Sequence, residues 1–231
     1  MAIAASDHQR GSTSPANRLA TLRRKICGPI TEVRTSAPVV ALTFDDGPDP
    51  VYTPQLLEVL RRRRAKATFF MVGSAAQAHP EIVSAVAEAG HAIGNHSYSH
   101  CDFLEVPPRR RIAEIRACAR SLGGHETKIF RPPYGRENLA SHLAARSLGY
   151  SVVKWSISTG DWRGVTSTEI ADLILRQLRP GAIILLHDSI ARDPGADRSA
   201  TIDAVDRLLD ATEGAYTYLT IPELFAHGRA G

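Results

Sequence analysis

From residue 38 onward the chain alternates short apolar runs with amphipathic stretches, and few folds are built that way. Val39-Val40-Ala41-Leu42-Thr43-Phe44 is β-branched and apolar throughout and stops at Asp45-Asp46-Gly47-Pro48. The same reading predicts strands at 67–72, 91–94, 128–130, 150–157, 181–187 and 215–219. Helices are predicted between them at 53–64, 80–89, 108–122, 137–148, 167–178 and 199–212, with a final helical turn. Strands separated by helices pair in parallel, and runs without a polar alternation are strands covered on both faces. Seven or eight such units within 194 residues favour a closed or nearly closed barrel over an open doubly-wound sheet. A complete eight-fold barrel takes about 250 residues. The expectation is therefore a deformed (β/α)7-type, TIM-like barrel forming a single domain. No glycine-rich fingerprint follows the first strand, which argues against a dinucleotide fold.

Composition narrows the class further. Of 231 residues, 43% are hydrophobic and 23% charged, which excludes a disordered chain and a coiled coil. No run approaches ~18 apolar residues, so no transmembrane segment is expected. The formal charge of +4 raises the possibility of a nucleic-acid partner. Its distribution removes it. Residues 1–37 hold six basic and two acidic side chains, and residues 38–231 hold 22 of each. The excess belongs to an N-terminal arm, 1–37, read as flexible over 6–17 with a short basic helix possible at 18–30. The catalytic domain is placed at 38–231. Arg61-Arg62-Arg63-Arg64 closes a helix, where cations suit the dipole, and reads as a solvated end.

Three cysteines, Cys27, Cys101 and Cys118, give no C-x-x-C pair and no disulfide framework. The apolar piece Ala2-Ile3-Ala4-Ala5 is short and precedes the charges, unlike a secretory signal. A cytoplasmic setting is the expectation. The sequence does not fix an oligomeric state.

Reactive side chains fall at the ends of the predicted strands: Asp45-Asp46, His96 through His100, Arg131, Asp161-Trp162 and His187-Asp188. In α/β barrels chemistry gathers at that end. His96 and His100, at i and i+4, would share one side of a helical turn, a spacing suited to two imidazoles on one metal. Asp45 and Asp46 are adjacent and point apart; one can bind the metal while the other approaches a water. Two histidines and a carboxylate leave positions open for water and substrate, as in catalytic sites. His187 suits a general acid, with Asp161 holding its imidazole protonated. Arg131 could pair with Asp45 and fix its orientation. Cys101 would have to fold back on its own backbone to bind a metal and reads as an inert thiol. Trp155 reads as core.

Thr43-Phe44-Asp45-Asp46-Gly47-Pro48, His96-Ser97-Tyr98-Ser99-His100, Arg131-Pro132-Pro133-Tyr134-Gly135, Asp161-Trp162 and Leu185-Leu186-His187-Asp188 resemble the five ordered motifs of the polysaccharide deacetylase (NodB homology) family. The resemblance spans about 38–228. It implies a deformed barrel, a divalent metal, most often Zn2+ with Co2+ or Mn2+ as substitutes, and hydrolysis of an acetyl group from an oligosaccharide or polysaccharide. The usual target is the N-acetyl of a GlcNAc unit, here of chitooligosaccharide type. By the same resemblance Asp45 is the base, and Asp46, His96 and His100 are the metal ligands. Arg131 orients the base and the Tyr134 backbone N–H donates to the oxyanion. Asp161 tunes His187, the acid, while Trp162 and Leu185 enclose the acetyl methyl. Ser158 stands where many members have aspartate, which puts a supporting contact in doubt but not the metal centre. The alternatives are an amidase, deformylase or O-deacetylase on another sugar (peptidoglycan, acetylxylan or a lipid-linked sugar), and a carbohydrate-binding pseudoenzyme.

Overall fold

The computed structural model describes residues 28–231. Ten strands and eight helices follow in order: β1 (Val33–Arg34), β2 (Val39–Asp45), α1 (Tyr52–Arg62), β3 (Ala67–Met71), α2 (Gly73–Ala78), α3 (Pro80–Glu88), β4 (Ala92–Asn95), α4 (Pro108–Ser121), β5 (Glu126–Phe130), α5 (Leu139–Ser147), β6 (Ser151–Val152), β7 (Ile157–Ser158), α6 (Ser167–Gln177), β8 (Ile183–His187), α7 (Ser199–Ala211), β9 (Thr217–Tyr218), α8 (Ile221–Phe225) and β10 (Arg229–Ala230). The main sheet runs β6-β5-β4-β3-β2-β8-β7, with β9 beside the start of β2. Every pairing in it is parallel. Seven strands curl into the incomplete barrel that the alternation predicts. The central β2 is buried along all seven residues, as a strand covered on both faces must be.

The helix α2 is not among the expected elements, and two further stretches differ from the sequence reading. The stretch 150–157 is not one strand. It is split into β6 and β7, which lie at opposite edges of the sheet. The backbone donors between them change partner residue by residue. Val153 N–H bonds to Phe130 O (2.9 Å), Lys154 N–H to Ile30 O (2.7 Å) and Ser156 N–H to Ile183 O (2.9 Å). The barrel is therefore open between β6 and β7, and the start of the described chain fills the seam. Ile30 bridges Val153 and Glu32 bridges Ala182, while Val33 N–H bonds to Gly181 O (2.9 Å). β1 then pairs antiparallel with β10.

Residues 30–37, assigned to the arm by their charge, thus belong to the barrel. The cause is an alternation that a charge count overlooks. Val33 turns inward and is buried against Val39, Ile183 and Ile221, while Glu32 and Arg34 face out. The expected flexible stretch at 6–17, most of the expected helix at 18–30, and Cys27 lie outside the described residues.

The arginine run is also more than a solvated helix end. Arg62 and Arg63 pair with Asp206 (2.8 and 2.7 Å), and Arg63 also reaches Asp210 (2.6 Å), clipping α1 to α7. Arg61 pairs with Glu58 on its own helix (2.7 Å). Beneath these ion pairs the main core joins Phe44, Phe69, Leu56 and Leu60 of the β2–α1–β3 unit to Ile184, Leu186, Val205 and Leu208. Each such side chain contributes roughly 1.5–3 kcal/mol on full burial.

Gly181 has φ +77°, and a Cβ there would collide with the Val33 carbonyl. The left-handed backbone alone costs a non-glycine residue about 1–2 kcal/mol. Gly181→Ala is expected to lose about 2 kcal/mol or more and to lower Tm by at least ~4 °C, read by thermal unfolding.

Candidate active site

Parallel pairing brings the strand ends together. Asp45 and His187, the last residues of β2 and β8, are direct register partners. β4 delivers His96 one residue past its end, and β5 delivers Arg131 likewise. A 3-10 turn at Asp161–Arg163 follows β7. Every site residue predicted from the sequence lies at this one mouth.

Asp45 and Asp46 do point apart, because Asp46 has φ +77° and reverses the chain. Asp45 Oδ1 accepts from Arg131 Nη1 at 2.6 Å, and Arg131 is fully buried. That guanidinium also donates to Thr43 Oγ1 (2.8 Å) and Lys154 O (2.8 Å), so it cannot swing away. Asp46 faces the opposite side. Its Oδ1 lies 3.1 Å from His100 Nε2 and 3.4 Å from His96 Nε2, and its Oδ2 accepts from Ala191 N–H (3.0 Å). Burial opposes ionisation of Asp46, but hydrogen bonds and charge from His100 and His96 hold its carboxyl well below the usual range.

The H-x-x-x-H segment is not a helical turn. Ser97 (φ 65°) and His100 (φ 53°) are left-handed, and the loop is pinned instead by side chains. Asn95 Oδ1 accepts from Ser97 N–H (3.0 Å), and Glu114 accepts from Ser99 N–H (2.8 Å) and from its hydroxyl (2.9 Å). The two imidazoles converge all the same, with centroids 5.0 Å apart. Each is oriented through Nδ1, His96 against the Arg131 carbonyl (2.7 Å) and His100 against the Tyr134 hydroxyl (3.0 Å). Both Nε2 atoms are left for a ligand. One donor atom from each of Asp46, His96 and His100 lies within 4.8 Å of the others. Two imidazoles and a carboxylate, each held from behind by a hydrogen bond, fit a divalent cation and leave coordination positions open.

Across the cleft His187 Nδ1 meets Asp161 Oδ1 at 2.9 Å. Asp161 is fully engaged, its Oδ2 accepting from His187 N–H (2.8 Å) and Thr201 Oγ1 (3.0 Å). Burial alone would lower the His187 pKa. The hydrogen bond and charge of Asp161, helped by Asp45 and Asp46, outweigh it and push the value up to about 9. Trp162 stacks edge-on against this imidazole, centroids 5.0 Å apart.

The groups surround a cleft of about 370 Å3, with Leu185, Trp162 and Tyr134 on its walls. Trp155 is half-buried and also lines the cleft, so it is not simply core. Tyr134 (φ 60°) and Gly135, whose Cβ would strike the Trp155 ring, shape the adjoining turn. Ser158 is exposed at the end of β7.

Sequence reading placed Asp188 beside His187 at the strand end without giving it a role, and did not find Arg192. Asp188 is buried with Oδ2 accepting from Thr53 Oγ1 (2.5 Å), and burial pushes its carboxyl up to about 7. It lies against Gly47, where any Cβ would collide with the carboxylate. The bare glycine in the Asp45-Asp46-Gly47-Pro48 turn was the available signal. Arg192, which donates to the Tyr134 hydroxyl (2.8 Å), carries no sequence signal at all.

Comparison with known proteins agrees with this geometry. The polysaccharide deacetylase family profile matches residues 32–153. A peptidoglycan-N-acetylglucosamine deacetylase of Bacillus cereus is 36% identical over 94% of this chain and 77% of its own length. A chitooligosaccharide deacetylase of Sinorhizobium fredii is 36% identical over 77% of this chain and 86% of its own. A crystal structure of a peptidoglycan N-acetylglucosamine deacetylase superposes with a TM-score of 0.78 at 32% identity, covering 87% of this chain and 94% of that one. With its strand-end carboxylates and histidines on a deformed parallel barrel, the chain belongs to the polysaccharide deacetylase family, the carbohydrate N-deacetylases that hydrolyse carbon–nitrogen bonds.

Proposed function

We propose that this chain removes the N-acetyl group from a GlcNAc unit of an oligosaccharide or polysaccharide, with Asp45 as general base and His187 as general acid. The observation that carries the reading is the separation of the two acidic residues into two environments. Asp45 is tied to a buried guanidinium, and Asp46 faces two imidazoles. One aspartate is thereby available for proton transfer and the other for a cation.

Asp46, His96 and His100 would hold the divalent metal, with Zn2+ the best match to this donor set. Bound there, it supplies Lewis acidity toward the acetyl carbonyl and the attacking water. Asp45, fixed by Arg131, takes the proton from that water through its Oδ2, which faces the His96 side of the cleft at 3.7 Å from Nε2. The Tyr134 backbone N–H donates to the oxygen on which negative charge develops, and such donors commonly contribute several kcal/mol. His187 gives its proton to the departing sugar amine, and Asp161 stabilises the imidazolium until it does. Leu185 and Trp162 exclude water around the methyl group. The complete set of these groups favours an enzyme over a binding protein that has lost catalysis.

Acetate release on chitooligosaccharides, a peptidoglycan fragment and acetylxylan tests the reading. Activity is expected on the N-acetylated substrates, and release from acetylxylan alone would point to an O-deacetylase. Asp45→Asn should lower kcat by about 10²–10⁴ on every substrate. Full activity in that variant would remove the base assignment.

Chelation should abolish turnover and Zn2+ should restore it. His100→Ala should also reduce bound metal, measured as metal content per chain after dialysis. His187 must be protonated to act, and its pKa is raised, so wild-type kcat should hold below its pKa and fall as pH rises through it. In Asp161→Asn that basic limb should move to lower pH by about one unit or more, read from the pH profile of kcat.

A further inference from the structure

The Asp161 carboxylate meets His187 through both of its oxygens. Oδ1 accepts from the imidazole Nδ1 (2.9 Å), and Oδ2 accepts from the His187 backbone N–H (2.8 Å). These two contacts already fix the plane of the carboxylate against the ring. Thr159 adds little to them. Its hydroxyl carries one proton and has two acceptors in reach, Asp161 Oδ1 (3.1 Å) and the Leu185 carbonyl (3.0 Å).

Thr201 is different. It is 1% exposed and stands in the first turn of α7, an element that supplies no other side chain to the carboxylate. Its hydroxyl donates to Asp161 Oδ2 at 3.0 Å and makes no other hydrogen bond among the described residues. With the plane already held by His187, what this donor adds is a proton buried beside Oδ2, which withdraws charge from the group that faces the imidazole. The same end of α7 supplies Arg198, itself buried, whose Nη1 donates to the Asp161 main-chain carbonyl (3.1 Å). The positive end of a 13-residue helix is thereby set against Asp161.

A general acid meets two opposed demands. It must be protonated when the leaving group departs, and it must then give the proton up. Asp161 secures the first by raising His187 to about 9. A carboxylate that turned its whole charge on the imidazolium would overshoot, because a weaker acid transfers its proton less readily. We propose that Thr201 is a positioning residue for the acid step, acting through Asp161: its hydroxyl proton takes up part of the negative charge on Oδ2, so that Asp161 stabilises the His187 imidazolium without trapping its proton. The proposal rests on the deacetylase reading above, in which His187 protonates the departing amine, and adds a limit on the strength of the Asp161–His187 pair.

Thr201→Val removes the hydroxyl and keeps the shape, whereas Thr201→Ser keeps the hydroxyl. The other titratable and charged groups that share the cleft with His187, namely Asp45, Asp46, His96, His100, Tyr134 and Arg192, are the same in all three proteins. In Thr201→Val the basic limb of the kcat profile should move to higher pH by about half a unit or more, with a plateau about two- to fivefold lower. Asp161→Asn is expected to move it the other way, so a side chain that merely held Asp161 in place would give the reverse shift. Thr201→Ser should stay within ~0.2 unit of wild type. An NMR titration of the His187 ring in the full-length, Zn2+-loaded chain reads the same quantity without turnover, its signals assigned by their loss in His187→Gln. The ring midpoint should rise in Thr201→Val by the same amount. Should that variant not fold, Thr201→Ala removes the same hydroxyl and is read in its place. A midpoint that is unmoved or lowered, or that rises equally in Thr201→Ser, overturns the proposal. If no substrate releases acetate but the midpoint rises in Thr201→Val alone, the deacetylase reading fails alone. If acetate is released and the midpoint does not rise, the proposal fails alone.

Discussion

The structure depends on a single buried arginine. Arg131 follows β5 directly, and its main chain and side chain act on different parts of the site. Its N–H bonds to Asn95 O (3.0 Å), and its carbonyl orients His96. Its guanidinium holds Thr43 and Asp45 of β2, and donates to Val153 and Lys154 O (3.3 and 2.8 Å) in the stretch that crosses the seam. The plane also lies 4.0 Å from the centre of the Phe70 ring. Placing a charge at zero exposure is costly, and burial lowers the arginine's own pKa despite the pull of Asp45. What justifies the cost is pre-organisation. Asp45, the His96 imidazole and the closure of the barrel are all set by the same residue.

Backbone strain is concentrated in the same place. Five non-glycine residues of the described chain have positive φ, and four of them are Asp46, Ser97, His100 and Tyr134. Each costs on the order of 1–3 kcal/mol and persists only where the surroundings over-determine it. Here they do. Asp46 is held through Ala191, Ser97 through Asn95, and the His100 loop through Glu114. The strands supply rigidity, and the strained residues between them supply directions that regular structure cannot.

Much of this was legible in the residues because parallel strands buried on both faces leave an unmistakable hydrophobic run, and because barrel chemistry sits where such runs end. His96 and His100 were found by their spacing even though the spacing was read as helical; three intervening residues bring two imidazoles together in a left-handed loop as well as in a helical turn. The seam was not legible. Residues 150–157 have the composition of one strand, and only the change of hydrogen-bond partners after Val153 divides them. Residues 30–37 were hidden by a charge count, since Val33 is one inward side chain among exposed ionic ones. Arg192 was invisible for a different reason: its meaning lies wholly in its contacts with Tyr134, 58 positions away.

The seam also has a temporal meaning. The contact from Thr31 to the Gly231 carbonyl joins positions 200 apart, whereas most neighbouring strands of the sheet are joined by connections of a few tens of residues, β2 with β8 and β9 being the long-range exceptions. Closing so long a loop costs more chain entropy and rewards it later. The outer edge of β6 stays unpaired until Ile30 docks on it, with its N–H on Val152 O (2.8 Å), so the folding molecule passes through a stage with an exposed strand edge of the kind that templates association between chains. The segment that finishes the barrel is also what retires that hazard.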